Sequence, residues 1–518
     1  MVHHRGSRWF RAAGFRVARA DRTLCRTGCA SAAQARVVPA RILRHHAAFA
    51  SRLAGAGPMT EPFVLAAFTM STVSHGNFGL WRHPADQTAN YTDLRYWVEL
   101  AKLLDAGGFD ALFIADAVGQ LDVFGGDADA ALARAVQTPV TDPLLGVSAM
   151  AAATEHLGFG ITVSTTYESP YLLARKFSTL DHLTGGRIGW NIVTSLLDSA
   201  ARNIIGRDRQ IPHDERYAMA QEFLEVTYKL WEGSWEPDAV LRDRARGIYT
   251  DPAKVHGIGH QGRYFTVPGA HLVEPSPQRT PVLFQAGTST AGREFAARNA
   301  ELVFVSDPRP EVLRANIDDV RRRAVGHGRD PQSIKFITSV EIVTDSTDSA
   351  AQAKADELGE YHDLEGGLVL LSALSGVDWS SYGVDRPIEQ FDTDASRSIL
   401  AAVADTDARQ RLTLRDYVGK LGGFGGELFV GSAATVADEL ESYARRTGVD
   451  GFNIAYHITP GSFADVATYL IPELRRRGRA REAGEPTTLR QRIFGGHSPL
   501  LRDGHPAAAF RRNSVPAQ

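Results

Sequence analysis

The chain has 518 residues, 43% of them hydrophobic and 23% charged, with a formal net charge of −3. That composition is ordinary for a soluble globular protein, and the near-neutral balance gives no global basic field for nucleic acid. Apolar runs such as 63–68 and 366–374 fall far short of the roughly 20 residues that span a bilayer, and Cys25 and Cys29 alone build neither a disulfide framework nor a four-thiolate zinc site. A cytoplasmic enzyme or binding protein is the expectation.

Residues 1–58 carry 11 Arg, no Lys and a single acid, Asp21, so this segment is +10 and the remainder −13. It reads as a disordered Arg-rich extension ahead of Met59-Thr60-Glu61-Pro62, which looks like a start placed directly before the first strand. From there strand-like runs recur at 63–69, 109–115, 158–165, 187–194, 281–286, 301–306, 335–344 and 451–456, each apolar enough to be buried on both faces. Amphipathic stretches separate many of them. In 92–105, Leu94, Trp97, Val98, Ala101 and Leu104 share one stripe that ends at Gly107-Gly108. In 216–231, Ala220, Phe223, Leu224, Thr227 and Trp231 do the same. Eight strands alternating with helices predict an α/β fold, a closed parallel (β/α)₈ TIM barrel over 59–495. An open doubly wound sheet is disfavoured because no G-x-G-x-x-G follows the first strand. Long insertions after strands four and seven (195–280 and 345–426) are placed to shape or cover a site. Residues 496–518, with His, Pro, Ala and Arg but no periodicity, are expected to lack fixed structure.

Barrels work at the C-terminal ends of their strands. Strand one leads into His75, and strand two ends at Asp116, either an acceptor for a ligand or a helix cap. Strand three ends in hydroxyls, of which Thr162, Ser164 and Thr166 share one face by alternation. In strand four Trp190 and Asn191 face opposite ways; a buried Asn needs partners, supplied by a ligand's heteroaromatic edge or by a neighbouring strand. His213 and Tyr217 stand at i and i+4 at a helix start. Two stretches are phosphate candidates because glycine and hydroxyl residues open a helix: 285–293, with Ser289, and 430–435. Spacing does not choose between them. The chain has no H-E-x-x-H, G-x-S-x-G or Walker sequence, and no metal site is expected. A phosphate cradle without strong protein-borne chemistry points to a cofactor that carries the reaction.

Several stretches resemble the bacterial luciferase-like flavin monooxygenases, on the branch of nitrilotriacetate monooxygenase, the pristinamycin synthase component and dibenzothiophene sulfone monooxygenase. They are EHLGFGITVSTTYESPYLLARKFSTLDHLTGGRIGWNIVTS (155–195), HDERY (213–217), DPAKVHGIGHQGRYF (251–265), SPQRTPVLFQAGTSTAGREFAARNAELVF (276–304) and TLRQRIFG (488–495). The resemblance implies a two-component enzyme. FMN arrives as FMNH2 from a separate NAD(P)H:FMN reductase, O2 is co-substrate, and a small organic sulfur or nitrogen compound is oxygenated by a homo-oligomer. Alternatives are a deazaflavin-dependent oxidoreductase of the same superfamily and a non-catalytic flavin-binding protein. Carried over by position, flavin contacts fall on Asp116, on Thr162 or Ser164, on His213 and Tyr217, and on Ser289. His75 is the candidate catalytic hydrogen-bond donor. Apolar residues 368–371 and 379–382 are expected to form a lid. One departure bears on substrate: where the sulfone enzyme reads S-S-H-T-G, this chain has Ser372-Ala373-Leu374-Ser375-Gly376. Arg82 and Arg175 are the arginines available to a polyanionic substrate.

Overall fold

Eight parallel strands, each followed by helix, wrap around until the last pairs with the first. They are β1 (Val64–Met70), β2 (Ala111–Ala115), β3 (Gly158–Ser164), β4 (Ile188–Val193), β5 (Val282–Gln285), β6 (Leu302–Val305), β7 (Lys335–Asp345) and β8 (Gly451–Ala455). The ring closes because β8 pairs in parallel with both β7 and β1 and β6 pairs with β5 and β7. The computed structural model describes residues 61–287, 289–388, 412–419, 426–482, 484–485, 487–496 and 498–512. The Arg-rich extension therefore lies outside the described residues, as do the last six residues.

One strand was not expected. Glu427–Ser432 pairs in parallel with the second half of β7, Val340–Asp345, above the point where β7 leaves β8. The connection from β4 to β5 carries two helices, Asp198–Ile205 and His213–Tyr228, and two short hairpins. The connection from β7 to β8 carries the helix Leu364–Ser375 among others.

Alternation sorts the strand side chains into two cores. Outward residues such as Trp190, Leu112 and Phe336 pack beneath the helices. Inward residues Phe113, Phe284, Phe68 and Phe304 form an aromatic layer across the barrel, with Phe113 and Phe304 centroids 4.4 Å apart. Gly160 and Gly189 make room for it: a Cβ at either would lie 2.7 Å from the Phe113 ring or 2.4 Å from the Phe284 ring. Below that layer Leu489 and Ile493, from the helix Leu489–Phe494, plug the base.

That helix is pinned by charge. Arg490, 3% exposed, makes a two-pronged pair with Glu301 (2.7 and 2.8 Å). Arg481 and Arg492 both reach the buried Asp110 at 2.8 Å. Residues 498–512, expected to lack fixed structure, instead pack along the outside of the barrel, with Leu501, His505 and Ala507 all buried. Among the described residues no helix is long and apolar enough to cross a membrane.

Candidate active site

The inward face of every strand contributes at the C-terminal mouth. Above the aromatic layer lies a cavity of about 310 Å³ whose lining includes Met70, Ala115, Thr162, Asn191, Ser306, Ser339 and Asn453. A second cavity, of about 390 Å³, runs outward over the strand ends to Ser289, His213 and Tyr217. The two share Asp116, Ala117, Gln137, Val193 and Ala286, so they form one bent slot. Its size is that of a small-molecule or cofactor site.

At the inner end, Trp190 turns outward, where its indole N–H donates to the Val163 carbonyl (3.0 Å), and Asn191 turns in. The Asn191 amide donates to the Thr162 hydroxyl (2.9 Å), which fixes both side chains. Ser164 does not join them. Its oxygen accepts from the Ser195 hydroxyl (2.8 Å) and from the Thr166 N–H (3.2 Å), and it lines neither cavity. His75 packs edge-on against Phe68 with ring centroids 4.5 Å apart, and its carbonyl accepts from the Gln137 amide (3.0 Å). Burial pushes its imidazole down to about 3, so the ring is neutral at pH 7 and is a donor through one nitrogen only.

Asp116 stands where the two cavities meet. Burial pushes its carboxyl up to about 7, Asp142 adds to the rise, and the Ala117 N–H opposes it. The carboxylate therefore lacks a countercharge that would hold it ionised in water-poor surroundings.

The outer end is built on two helix starts. Ser289 caps the helix Thr290–Asn299 by accepting the Gly292 N–H (3.0 Å) and lies 3.3 Å from His213 Nε2. Tyr217, four residues on from His213, sets its ring 5.0 Å from the imidazole. Gly287 and Gly292 let the turn close: a Cβ on either would come within 3 Å of both the other glycine and the Tyr217 hydroxyl, and one on Gly287 would also meet the Gln285 amide at 2.3 Å. No acid sits in the first turn of this helix. The rival stretch is different. There the Ser432 N–H (2.7 Å) and the Thr435 hydroxyl (2.8 Å) already donate to the Asp348 carboxylate, so an internal anion fills that helix start.

Arg216, Gln285 and Asn453 were not singled out from sequence. Arg216 lines the outer cavity, donates to the Thr194 carbonyl (3.2 Å), and among the described residues has no carboxylate within 4 Å; its buried Nε is without a partner. Asn191 Oδ1, Gln285 Oε1 and Asn453 Oδ1 are likewise buried and unpartnered among the described residues. Such atoms in a slot call for a polar ligand edge. The lid expectation divides: Leu370, Ala373 and Leu374 of the helix Leu364–Ser375 wall the outer cavity, whereas Trp379 is buried in the insertion's own apolar cluster with Leu368 and Leu371. Arg82 donates to the Gly79 and Tyr361 carbonyls and Arg175 is exposed on an outer helix, so neither lines the slot. Among the described residues no group of three or more His, Cys, Asp or Glu is placed to hold a metal ion.

A chain that folds into a barrel of this strand order, with a bent slot at its C-terminal mouth, matches one family model, "luciferase-like monooxygenase", over residues 74–451. The chain belongs to the luciferase-like monooxygenase family. This monooxygenase is 49% identical to dimethyl-sulfide monooxygenase from Hyphomicrobium sulfonivorans, over 88% of the chain and 94% of that protein. The crystal structure of DmoA from that organism superposes with a TM-score of 0.82, covering 87% of the monooxygenase and 96% of DmoA. Long-chain alkane monooxygenase from Geobacillus thermodenitrificans is 46% identical, over 88% of the chain and 99% of the relative. Riboflavin lyase, solved with a modified FMN and its substrate riboflavin, is 35% identical with a TM-score of 0.78, covering 88% of the chain and all of the lyase. The chemistry of the slot is compatible with a flavin: it holds buried amide oxygens without partners among the described residues, and a helix start with a Ser289 cap and no acid in its first turn.

Proposed function

We propose that this monooxygenase is the oxygenating half of a two-component system. It takes FMNH2 from a separate NAD(P)H-dependent reductase and uses O2 to oxygenate a small organic sulfur or nitrogen compound. The observation that carries the reading is the bent slot, polar at both ends and continuous through Asp116. Reduced flavin supplies the electrons that activate O2, one oxygen atom entering the product and the other leaving as water.

The chain's own residues bind, orient and exclude water. Thr162 and Asn191 offer a paired hydroxyl and amide to a ring edge. Ser289, Tyr217 and His213 converge on the phosphate position, with Arg216 as the nearby cation. Asp116 accepts from the ring or its ribityl chain, and neutral His75 donates one N–H at the substrate end. Leu121, Leu370, Ala373 and Leu374 wall the slot with apolar surface that displaces water. An apolar wall without Arg82 or Arg175 suits an uncharged substrate and is unsuited to a polycarboxylate.

The test is a single turnover. The protein is mixed anaerobically with photoreduced FMN, then with aerated buffer containing dimethyl sulfide as probe, followed by other small sulfides and amines. Oxygenated product should form in step with FMNH2 consumed. Immediate release of oxidised FMN and hydrogen peroxide, with no oxygenated product from any probe, overturns the reading.

A further inference from the structure

Two helices carry the phosphate cradle, and one stretch of chain holds the far ends of both. The helix Thr290–Asn299 starts at Ser289 and finishes at fully buried Asn299. The helix His213–Tyr228 starts at the cradle and finishes at buried Tyr228, whose hydroxyl donates to the Asn299 side-chain oxygen (3.3 Å). The C-terminal segment 498–512 crosses this junction. His505, 4% exposed, accepts the Ala507 N–H on Nδ1 (3.1 Å). Nε2 therefore carries the proton and donates to the Asn299 backbone carbonyl (2.8 Å). Its ring meets Tyr228 edge-on, 5.6 Å between centroids. Further along, Arg511 pairs with Glu232 (2.9 Å), a carboxylate with no exposure just past Tyr228, and Arg512 donates to the Gly233 carbonyl (2.8 Å).

The last carbonyls of a helix have no intrahelical donor. Here His505 supplies one to Asn299, while Arg329 supplies Ala297 and Ala300 (3.0 and 2.7 Å). The cradle contact between Ser289 and His213 joins two different helices, so it holds only while those helices keep their relative position. Helices of 10 and 16 residues, roughly 15 and 24 Å long at about 1.5 Å per residue, are stiff enough to carry a displacement from one end to the other.

We propose that segment 498–512 is a strap that positions the phosphate cradle, with His505 as the positioning residue. This rests on the reading that the cradle takes the FMN phosphate. Riboflavin, which has the same ring and no phosphate, is the control that separates positioning from general damage. In the full chain, His505→Ala should weaken FMN binding about fivefold, the worth of one net hydrogen bond, and leave riboflavin binding unchanged. His505→Gln, which returns an amide N–H to the Nε2 position, should restore most of the loss. An equal loss for both flavins, or no loss for FMN, overturns the proposal. A second measurement needs no variant. Binding couplings are reciprocal, so FMN should slow tryptic cleavage after exposed Arg502 in the wild-type chain and riboflavin should not; identical cleavage with either flavin overturns the strap. If the wild-type chain binds FMN no more tightly than riboflavin, the phosphate reading fails and the strap with it.

Discussion

Asp116 is held in a state that costs stability. Its carboxyl sits at about 7 in the folded chain because burial disfavours the charge and Asp142 repels it, against an ordinary value of 3.8. Below the ordinary value both folded and unfolded chains hold the proton and nothing is lost. Between there and about pH 7 the unfolded chain releases it first, so folding loses stability as pH rises, up to a plateau above 7. Asp116→Asn should therefore stabilise the fold at pH 8 by something on the order of 1–2 kcal/mol after solvent screening, seen as a higher melting temperature, and change little near pH 4. Thermal unfolding at the two pH values checks it. Ser289→Ala removes both a helix cap and a phosphate donor, so it should weaken FMN by about 1–3 kcal/mol while riboflavin titrations stay near wild type. Several of these residues were legible in the sequence, since Asp116 and Ser289 stand at a strand end and a helix cap. Others were not. Gln285 and Asn453 are single polar residues inside apolar strands, and Arg216 is one of three charged residues in a helix start. Ser164 misled because alternation puts it on the right face, while the competing Ser195 hydroxyl is 31 residues away.

Among the elements, the eight barrel strands could be read because burial on both faces makes each a continuous apolar run. Glu427–Ser432 could not: Glu427 and Leu428 are exposed, Gly431 interrupts the run, and only one face is covered. The same segment looked like a phosphate loop, and only the fold shows Asp348 occupying its helix start. The base helix Leu489–Phe494 is held by partners far away in the chain. Arg490 and Glu301 are a buried pair 189 residues apart. Arg490→Met should cost about 3–5 kcal/mol by leaving the Glu301 carboxylate buried without its cation, held among the described residues only by the Leu283 N–H (3.1 Å), and adding Glu301→Gln should recover much of it. Denaturant unfolding of the single and double variants tests this; a double variant as unstable as the single would mean the arginine acts by packing alone.

Over the whole molecule, the segment 498–512 is where the fold departs furthest from what its sequence pattern suggests. Its sequence has no period because it forms no long element; it is ordered by single contacts to helix ends that are remote in sequence. Binding at one mouth should nevertheless be felt by the entire barrel. FMN at about 100 times its Kd should add roughly 2.7 kcal/mol to unfolding and raise the melting temperature, with riboflavin doing less at equal concentration. Without a reductase, the chain with FMN and NADH should leave the NADH absorbance unchanged.

The aromatic layer has a bearing on traffic. Phe68, Phe113, Phe284 and Phe304 seal the barrel beneath the inner cavity, and the base helix closes what lies below. The slot is thus closed through the base of the barrel. On the function proposed above, cofactor, substrate and product would all pass the same C-terminal mouth, so a ligand lodged across that mouth would obstruct the exchange of the others.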